Sequence, residues 1–201
     1  MKLISHRRNT LEELKQTPSK YGVEVDIRSY GDDLVIHHDP CVVGNSFEEW
    51  ISEYKNDTLI LNVKEEGLEQ RVIQLMEKYG IEDYFFLDQS FPFLVKWSNL
   101  GVSRAAVRVS EFESLETALT LAGKIDWVWI DCFTCFPLST AEAKMLKQAG
   151  FQLCIVSPEL QGRDAEKEIP ELIQLLDKLK IMPEAACTKR PDLWEKWAVF
   201  S

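Results

Sequence analysis

Eight short apolar runs, most followed by a stretch with helical spacing, constrain the fold of this chain more than any other feature of its sequence. They cover residues 3–6, 23–28, 59–64, 84–87, 105–109, 127–132, 152–156 and 184–188. Runs that are apolar on both faces indicate parallel strands buried on both sides, and eight strand–helix units are the number that closes into a barrel. The pattern predicts an α/β fold, a (β/α)₈ TIM barrel, in a single domain over residues 1–201.

Local signals between the runs refine this prediction. A further run, 34–38, follows the second strand after Gly31-Asp32-Asp33, a turn sequence that suits a short hairpin. Capping-box patterns at 10–13 and 139–142 predict helix starts. An open doubly wound sheet is the rival fold, but no glycine-rich phosphate loop follows the first strand. Because this kind of barrel usually has about 250 residues, a chain of 201 is expected to form a compact one.

The charge balance restricts the class of partner. Lys and Arg number 23 against 33 Asp and Glu, a net charge of −10. Such a field repels polyanions, so no nucleic-acid partner is expected, and an anionic small molecule requires a local cluster of cations or a bound metal. No apolar run approaches the roughly 20 residues of a spanning helix, so no membrane partner is expected either.

The cysteines bear on the compartment. The five cysteines are an odd number and lie mostly inside apolar runs, which argues against a disulfide framework and against a zinc site. A reducing compartment fits them best, so a cytoplasmic protein is expected. The aromatic carboxyl-terminal segment 193–200 is expected to form a helix that closes the barrel or a contact in a homo-oligomer.

Charged residues gather at the ends of the first three predicted strands. Alternation along the second strand places Glu24, Asp26 and Arg28 on one face, and the same period pairs Asn62 with Lys64 on the third. Two carboxylates placed in this way hold a hard divalent cation or share a proton.

Two histidines are expected near these carboxylates. His6 ends the first strand and His38 follows the hairpin run, whereas His37 is expected to face away because neighbours on a strand point to opposite sides. Two imidazoles beside carboxylates and cations suit phosphoryl transfer, in which one imidazole removes a proton and the other supplies one.

These residues, in this order, resemble the glycerophosphodiester phosphodiesterases along the whole chain. The family's first strand ends in His-Arg-Gly and is followed by Glu-Asn-Thr, to which 4–10, ISHRRNT, is similar. Its Glu-x-Asp, His-Asp and Glu-Ile-Lys motifs resemble 24–26, 38–39 and 62–64. Its fourth-strand Ser-Phe and carboxyl-terminal Thr-Asp-x-Pro resemble 90–91 and 187–192.

The resemblance implies a metal-assisted phosphodiesterase acting on a glycerophosphodiester or a related polyol or sugar diester, as part of lipid metabolism. By that resemblance His6 and His38 are the acid/base pair. Arg7, Lys64 and Arg8 are the candidate substrate-binding residues. Mg²⁺ or Ca²⁺ would be bound by Glu24, Asp26 and Asn62, since hard cations prefer oxygen ligands.

Two departures from the family leave alternatives open. Asn62 stands where the family has Glu, which removes a charge that Asp88 or Glu65 would have to replace. Arg8 stands where the family has Gly. One alternative is therefore a catalytically impaired barrel that still binds a phosphorylated ligand. Another is an isomerase or aldolase that uses Lys64 as base or Schiff-base amine.

Two further residues on later strands have open roles. Asp131 either lines the pocket or caps the following helix, and Arg108 either reaches the substrate or forms a salt bridge at the rim.

Overall fold

Eight parallel strands form a closed ring in the computed structural model, which describes residues 1–198. The strands are β1 (Lys2–Ser5), β2 (Gly22–Tyr30), β3 (Asp33–Ile36), β4 (Asn45–Ser46), β5 (Leu59–Val63), β6 (Tyr84–Leu87), β7 (Ala106–Val109), β8 (Trp127–Ile130), β9 (Gln152–Val156) and β10 (Ala185–Thr188). Around the ring β1 pairs with β2, β2 with β5, β5 with β6, β7 with β8, β8 with β9, β9 with β10, and β10 with β1. β6 meets the β7 side only through an isolated bridge between Phe86 and Ala105, the residue before β7.

The TIM-barrel prediction is confirmed, and so is the hairpin. Tyr30 pairs with Asp33 across the turn, and Gly31 supplies the positive φ of 60° that the turn requires. The antiparallel β3 and β4 are thereby appended to β2 outside the ring. Each of the eight predicted runs overlaps one barrel strand. The run 127–132 extends past β8, which ends at Ile130, so Asp131 and Cys132 lie in the loop beyond it.

Helices cover the outside of the barrel. They are α1 (Leu11–Gln16), α2 (Phe47–Ser52), α3 (Glu69–Tyr79), α4 (Phe91–Asn99), α5 (Leu115–Leu119), α6 (Thr140–Gln148), α7 (Ala165–Leu179) and α8 (Pro191–Trp197). Both capping boxes form, because Thr10 and Ser139 each accept from the third helical N–H while Glu13 and Glu142 accept from the cap N–H. None of the helices in residues 1–198 is both long and apolar enough to cross a bilayer.

The carboxyl-terminal helix packs on the barrel wall. Trp194 is fully buried and donates its indole N–H to Ser157 Oγ at 2.8 Å, and α8 contacts α7 and β1. Val199 and Phe200, the end of the segment considered for a helix or an oligomer contact, lie outside the described residues.

Strand alternation sorts the side chains into two layers. Val23, Val25 and Ile27 face the helices, whereas Glu24 and Asp26 face the barrel interior, opposite Ile60 and Asn62. Apolar side chains fill the rest of the interior; among them, the Phe85 and Trp127 rings stack 4.6 Å apart. This packing closes the barrel at the amino ends of the strands. The two buried carboxylates are therefore accessible only from the carboxyl ends of the strands.

Candidate active site

Glu24 lies at the centre of a polar cluster at the carboxyl ends of β1, β2 and β5. Its carboxylate accepts the Arg7 backbone N–H at 2.7 Å and the Asn62 amide at 2.8 Å, and His6 Nε2 lies 3.6 Å from Oε2. Burial, reinforced by the charge of Asp26, raises the pKa of Glu24 to about 7. Glu24 therefore exchanges a proton near neutral pH, in contrast to an ordinary surface carboxylate.

Asp26 is held by two cations and one amide. Arg7 Nε lies 3.2 Å from Oδ2 and Lys64 Nζ lies 3.3 Å from Oδ1. Asn9 donates its amide to Oδ2 at 2.8 Å and accepts the Asp26 backbone N–H at 3.0 Å. Asn9 had no predicted role; it directly follows the Arg7-Arg8 pair, and its side chain joins the first loop to β2.

His6 is held as a neutral imidazole. Burial, helped by the nearby cations Arg7 and Lys189, lowers the pKa of His6 to about 3. Its Nδ1 is buried and has no hydrogen-bond partner among the described residues. An uncharged ring with one unused nitrogen is able to accept a proton from a bound nucleophile.

The two arginines after β1 differ in how they are engaged. Arg7 has a φ of 54°, a left-handed backbone that directs its N–H at Glu24. Arg8 forms no ion pair with any described residue, and its Nε is buried without a hydrogen-bond partner. Arg8 is thus a cation that a bound anion is able to neutralise.

A second series of charges crosses the barrel mouth from β5 to β8. Lys64 Nζ lies 3.1 Å from Asp88, which also pairs with Arg108; the Arg108 guanidinium in turn lies 3.4 Å from Asp131. Gln161 donates to Asp131 Oδ1 at 2.6 Å, and burial raises the pKa of Asp131. Asp131 therefore lines the mouth instead of capping the next helix, whose cap is Ser139.

The residues that the resemblance assigns to a cation have two unpaired oxygens. Asn62 Oδ1 and Asp26 Oδ1 are both buried and lack a hydrogen-bond partner among the described residues, although Lys64 lies near the latter. Two such acceptor oxygens beside Glu24 fit a hard divalent cation. Among residues 1–198 no group of three or more His, Cys, Asp or Glu is arranged to hold a metal, since the third oxygen here belongs to an amide.

His38 was predicted to be catalytic together with His6, but its side chain makes no contact with this cluster. Its imidazole is about half exposed and bonds Asp39 at 2.9 Å. Its carbonyl accepts from Arg28 Nε at 3.0 Å, and Arg28 also donates to the Lys64 carbonyl, so the hairpin end lies on the same rim. His37 accepts the Asp39 backbone N–H and makes no contact with the cluster.

Neither carboxylate proposed to replace the missing charge at position 62 lies free to do so. Glu65 accepts hydrogen bonds from the Ser29 backbone and hydroxyl and faces Arg28. Asp88 is shared between Lys64 and Arg108. The contact of Glu65 with Ser29 depends on the register of β2 against β5, and the spacing of residues in the sequence does not specify that register.

Two of the cysteines, Cys132 and Cys135, have the C-x-x-C spacing, which bears on the expectation that the chain has no zinc site. All five thiols of the chain are free. Cys132 is fully buried, and burial raises the pKa of its thiol to about 12, whereas Cys135 is exposed. Burial makes Cys132 an unreactive packing residue.

The fold and the position of the cluster define a TIM barrel with a charged site on its carboxyl face, where barrels of this kind carry their active sites. Two solved structures of similar fold are a glycerophosphodiester phosphodiesterase from Agrobacterium tumefaciens and a glycerophosphoryl diester phosphodiesterase from Parabacteroides distasonis. The first is 14% identical, with a TM-score of 0.67 over 97% of this chain and 99% of that one. The second is 13% identical, with a TM-score of 0.66 over 100% of this chain and 88% of that one. No protein-family model and no curated protein matches the sequence.

Proposed function

We propose that this protein is a phosphodiester hydrolase acting on a glycerophosphodiester or a related polyol or sugar diester. The observation that carries the proposal is the convergence of His6, Glu24 and Asp26 with Arg7, Lys64 and Asn62 at the carboxyl ends of three neighbouring strands. The similar fold of two phosphodiesterases acting on glycerol diesters supports it.

In this proposal the cations bind the phosphate and His6 acts as the base. Arg7, Arg8 and Lys64 offset the charge on the phosphate oxygens, as positioned cations do in phosphoryl transfer. Neutral His6 takes the proton of the attacking water or of a neighbouring substrate hydroxyl. The bond from phosphorus to the leaving oxygen then breaks, and that oxygen takes a proton from an acid, a role that we assign to His38.

A divalent cation, Mg²⁺ or Ca²⁺, fits this site through Glu24, Asp26 and Asn62. When bound, it would supply further positive charge to the phosphate oxygens. Asn62 orients Glu24 through its amide N–H and retains one oxygen for the cation. Because an amide replaces a carboxylate, affinity for the cation is expected to be lower than with Glu at this position.

Hydrolysis of glycerophosphocholine and of bis(p-nitrophenyl) phosphate with Mg²⁺, Ca²⁺ or Mn²⁺ tests the proposal. His6→Ala is expected to lower kcat by about 10²- to 10⁴-fold, the usual contribution of a positioned base. His37→Ala is the matched control, since His37 lies outside the cluster, and it should retain activity. Absence of turnover by the wild-type protein with every metal and diester would overturn the proposal.

A second candidate is a barrel that binds a phosphorylated ligand without turnover. It is favoured by the pairing of Asp26 with Arg7 and Lys64, since these two cations offset the carboxylate charge that would attract a metal ion, and by the amide that stands in place of a carboxylate at position 62. Calorimetry with glycerol 3-phosphate would then show binding where no diester is cleaved. Asn62→Glu should restore activity and should also make the Tm rise on addition of Mg²⁺.

The paired state of Lys64 bears on the aldolase alternative. Its ammonium contacts both Asp26 and Asp88, which favours a fixed cation over an amine nucleophile. Borohydride trapping with a carbonyl substrate tests this directly, and no covalent adduct is expected.

We also propose a cytoplasmic location. The exposed thiols of Cys41 and Cys135 are both free, as is usual in a reducing compartment.

A further inference from the structure

The barrel mouth opens sideways into a cleft between β6 and β7 that the phosphate-binding residues do not use. Its volume is about 740 Å³. Its lining comes from Leu87 at the end of β6, from Asp88 and Gln89 after it, and from Ala106 to Arg108 on β7. Residues of α4, of α5 and of the loop before α5 complete the lining. The cleft therefore begins beside the polar cluster and leads outward to the helix layer.

The cleft exists because the barrel wall parts here. β6 and β7 share one isolated bridge at Phe86 and Ala105, whereas their other neighbours are joined by full ladders. Leu87 and Ala106 belong to the interior layer, while Leu94 and Val107 belong to the layer between sheet and helices. The cleft is therefore lined by residues from both layers.

The two ends of the cleft differ in chemistry. At the inner end Asp88 pairs with Arg108 and also lies 3.1 Å from Lys64, which we assign to the phosphate. At the outer end Phe91 and Phe112 are 46% and 79% exposed. The Phe112 ring lies 5.8 Å from that of Phe133, so the aromatic surface continues onto the loop after β8.

We propose that this cleft binds the alcohol arm of the diester and that this arm carries a hydrocarbon chain or ring. The inference rests on the proposed function, since it takes the phosphate to lie at Lys64. Covering the exposed phenyl rings of Phe91 and Phe112 with hydrocarbon is favourable, whereas a bare polyol would leave these rings in water. Phe91 and Phe112 are thus the residues that set specificity for the arm.

Three glycerol phosphodiesters, with methyl, octyl or benzyl as the second alcohol, test the proposal when hydrolysis is followed by phosphorus NMR. The wild-type KM is expected to be about tenfold or more lower for the octyl or benzyl ester than for the methyl ester, as burial of several methylenes implies. The octyl and benzyl arms distinguish a chain from a ring.

Phe91→Ser and Phe112→Ser should each raise KM for the preferred apolar ester about tenfold and change that for the methyl ester less than twofold. Leu100→Ser is the matched control, because Leu100 is 66% exposed at the opposite end of α4 and lies outside the cleft. Equal KM values for the three esters, or variants that affect all three alike, would overturn the inference.

If the wild-type protein cleaves none of the esters, the proposed function fails, and calorimetric binding of the same three compounds tests the cleft separately. Selective binding of the octyl or benzyl ester, lost in Phe112→Ser and kept in Leu100→Ser, would support the inference. Equal binding, or no binding of any ester, would contradict it.

Discussion

The two sides of the barrel mouth are built differently. On the side of β1, β2 and β5 the strands pair in continuous ladders, and Glu24 and Asp26 are fully buried and in contact with Arg7, Asn9 and Asn62. On the side of β6 and β7 the ladder is reduced to a single bridge, and large aromatic side chains face water. In the proposed function, the paired side holds the groups that must keep a fixed geometry for chemistry, and the open side leaves room for variation in the bound molecule.

The largest expected difference between the two sides is in activity. We expect His6→Gln, on the paired side, to lower kcat at least a hundredfold, because the ring that accepts the proton is lost. Phe112→Ser, on the open side, should leave kcat for a methyl ester unchanged, because its ring lies outside the polar cluster. Steady-state kinetics on one diester measures both, and comparable losses of kcat would contradict the division of roles.

A smaller difference between the two sides is expected in stability, and adding methyl groups to a strand on each side reveals it. A Cβ added at Gly22 on β2 would lie 2.4 Å from the Thr58 carbonyl oxygen, so Gly22→Ala should lower the free energy of unfolding by about 3 kcal/mol. Ala106→Val, at the cleft, should cost less than about 1 kcal/mol because the cleft has room for the added methyls. Urea unfolding of both variants measures this difference. Equal losses in the free energy of unfolding would show that the junction between β6 and β7 is packed as tightly as the rest of the barrel.

The pH dependence of stability is expected to contain two opposing contributions from the paired side. The pKa of His6 is lowered from 6.5 to about 3, so the unfolded chain binds more protons and stability rises with pH between these values. The pKa of Glu24 is raised from 4.5 to about 7, so the folded chain binds more protons and stability falls as pH rises through that range.

These contributions should largely cancel between pH 4.5 and 6.5 in the wild-type protein. His6→Gln should show stability falling by up to about 1.4 kcal/mol per pH unit relative to wild type in this window, and Glu24→Gln should show the opposite slope. Urea unfolding with EDTA present measures both, since a bound cation would alter the titration of Glu24. Parallel curves for the two variants would show that these groups do not titrate as described.

The smallest effect concerns the aromatic rim. Phe112→Ser is expected to change the free energy of unfolding by less than about 0.5 kcal/mol, because the side chain is 79% exposed and contributes little to the core. Thermal unfolding measures this. A loss of more than about 1 kcal/mol would show that Phe112 stabilises the loops after β7 and β8 and is not reserved for a ligand.

Much of the barrel was predictable because it follows from local periodicity. The eight runs and the alternation of Glu24 and Asp26 with Val23, Val25 and Ile27 depend only on residues close in sequence. The weak pairing between β6 and β7 was not predictable, since residues 84–87 and 105–109 have the same apolar character as the well-paired strands. Whether two such strands form a ladder depends on the packing of the whole ring.

The candidate site divides in the same way. The positions of Glu24, Asp26 and Lys64 on one face of their strands were predictable from spacing, and the position of His6 beside them was predictable from its place at the end of the first strand. The series from Asp88 through Arg108 to Asp131 and Gln161 was not, because it joins residues whose proximity depends on the curvature of the barrel. The half-exposed imidazole of His38 depends on loop conformation, which strand alternation does not describe.

Asp88 gives the mouth a property that neither side has alone. It adopts a left-handed backbone with φ of 60° and shares its charge between Lys64 and Arg108. In the proposed function, a phosphate that draws Lys64 away would leave this carboxylate to Arg108 alone. Occupancy of the phosphate site would then change the charge that Arg108 presents to the cleft, which would link the two halves of the mouth through one side chain.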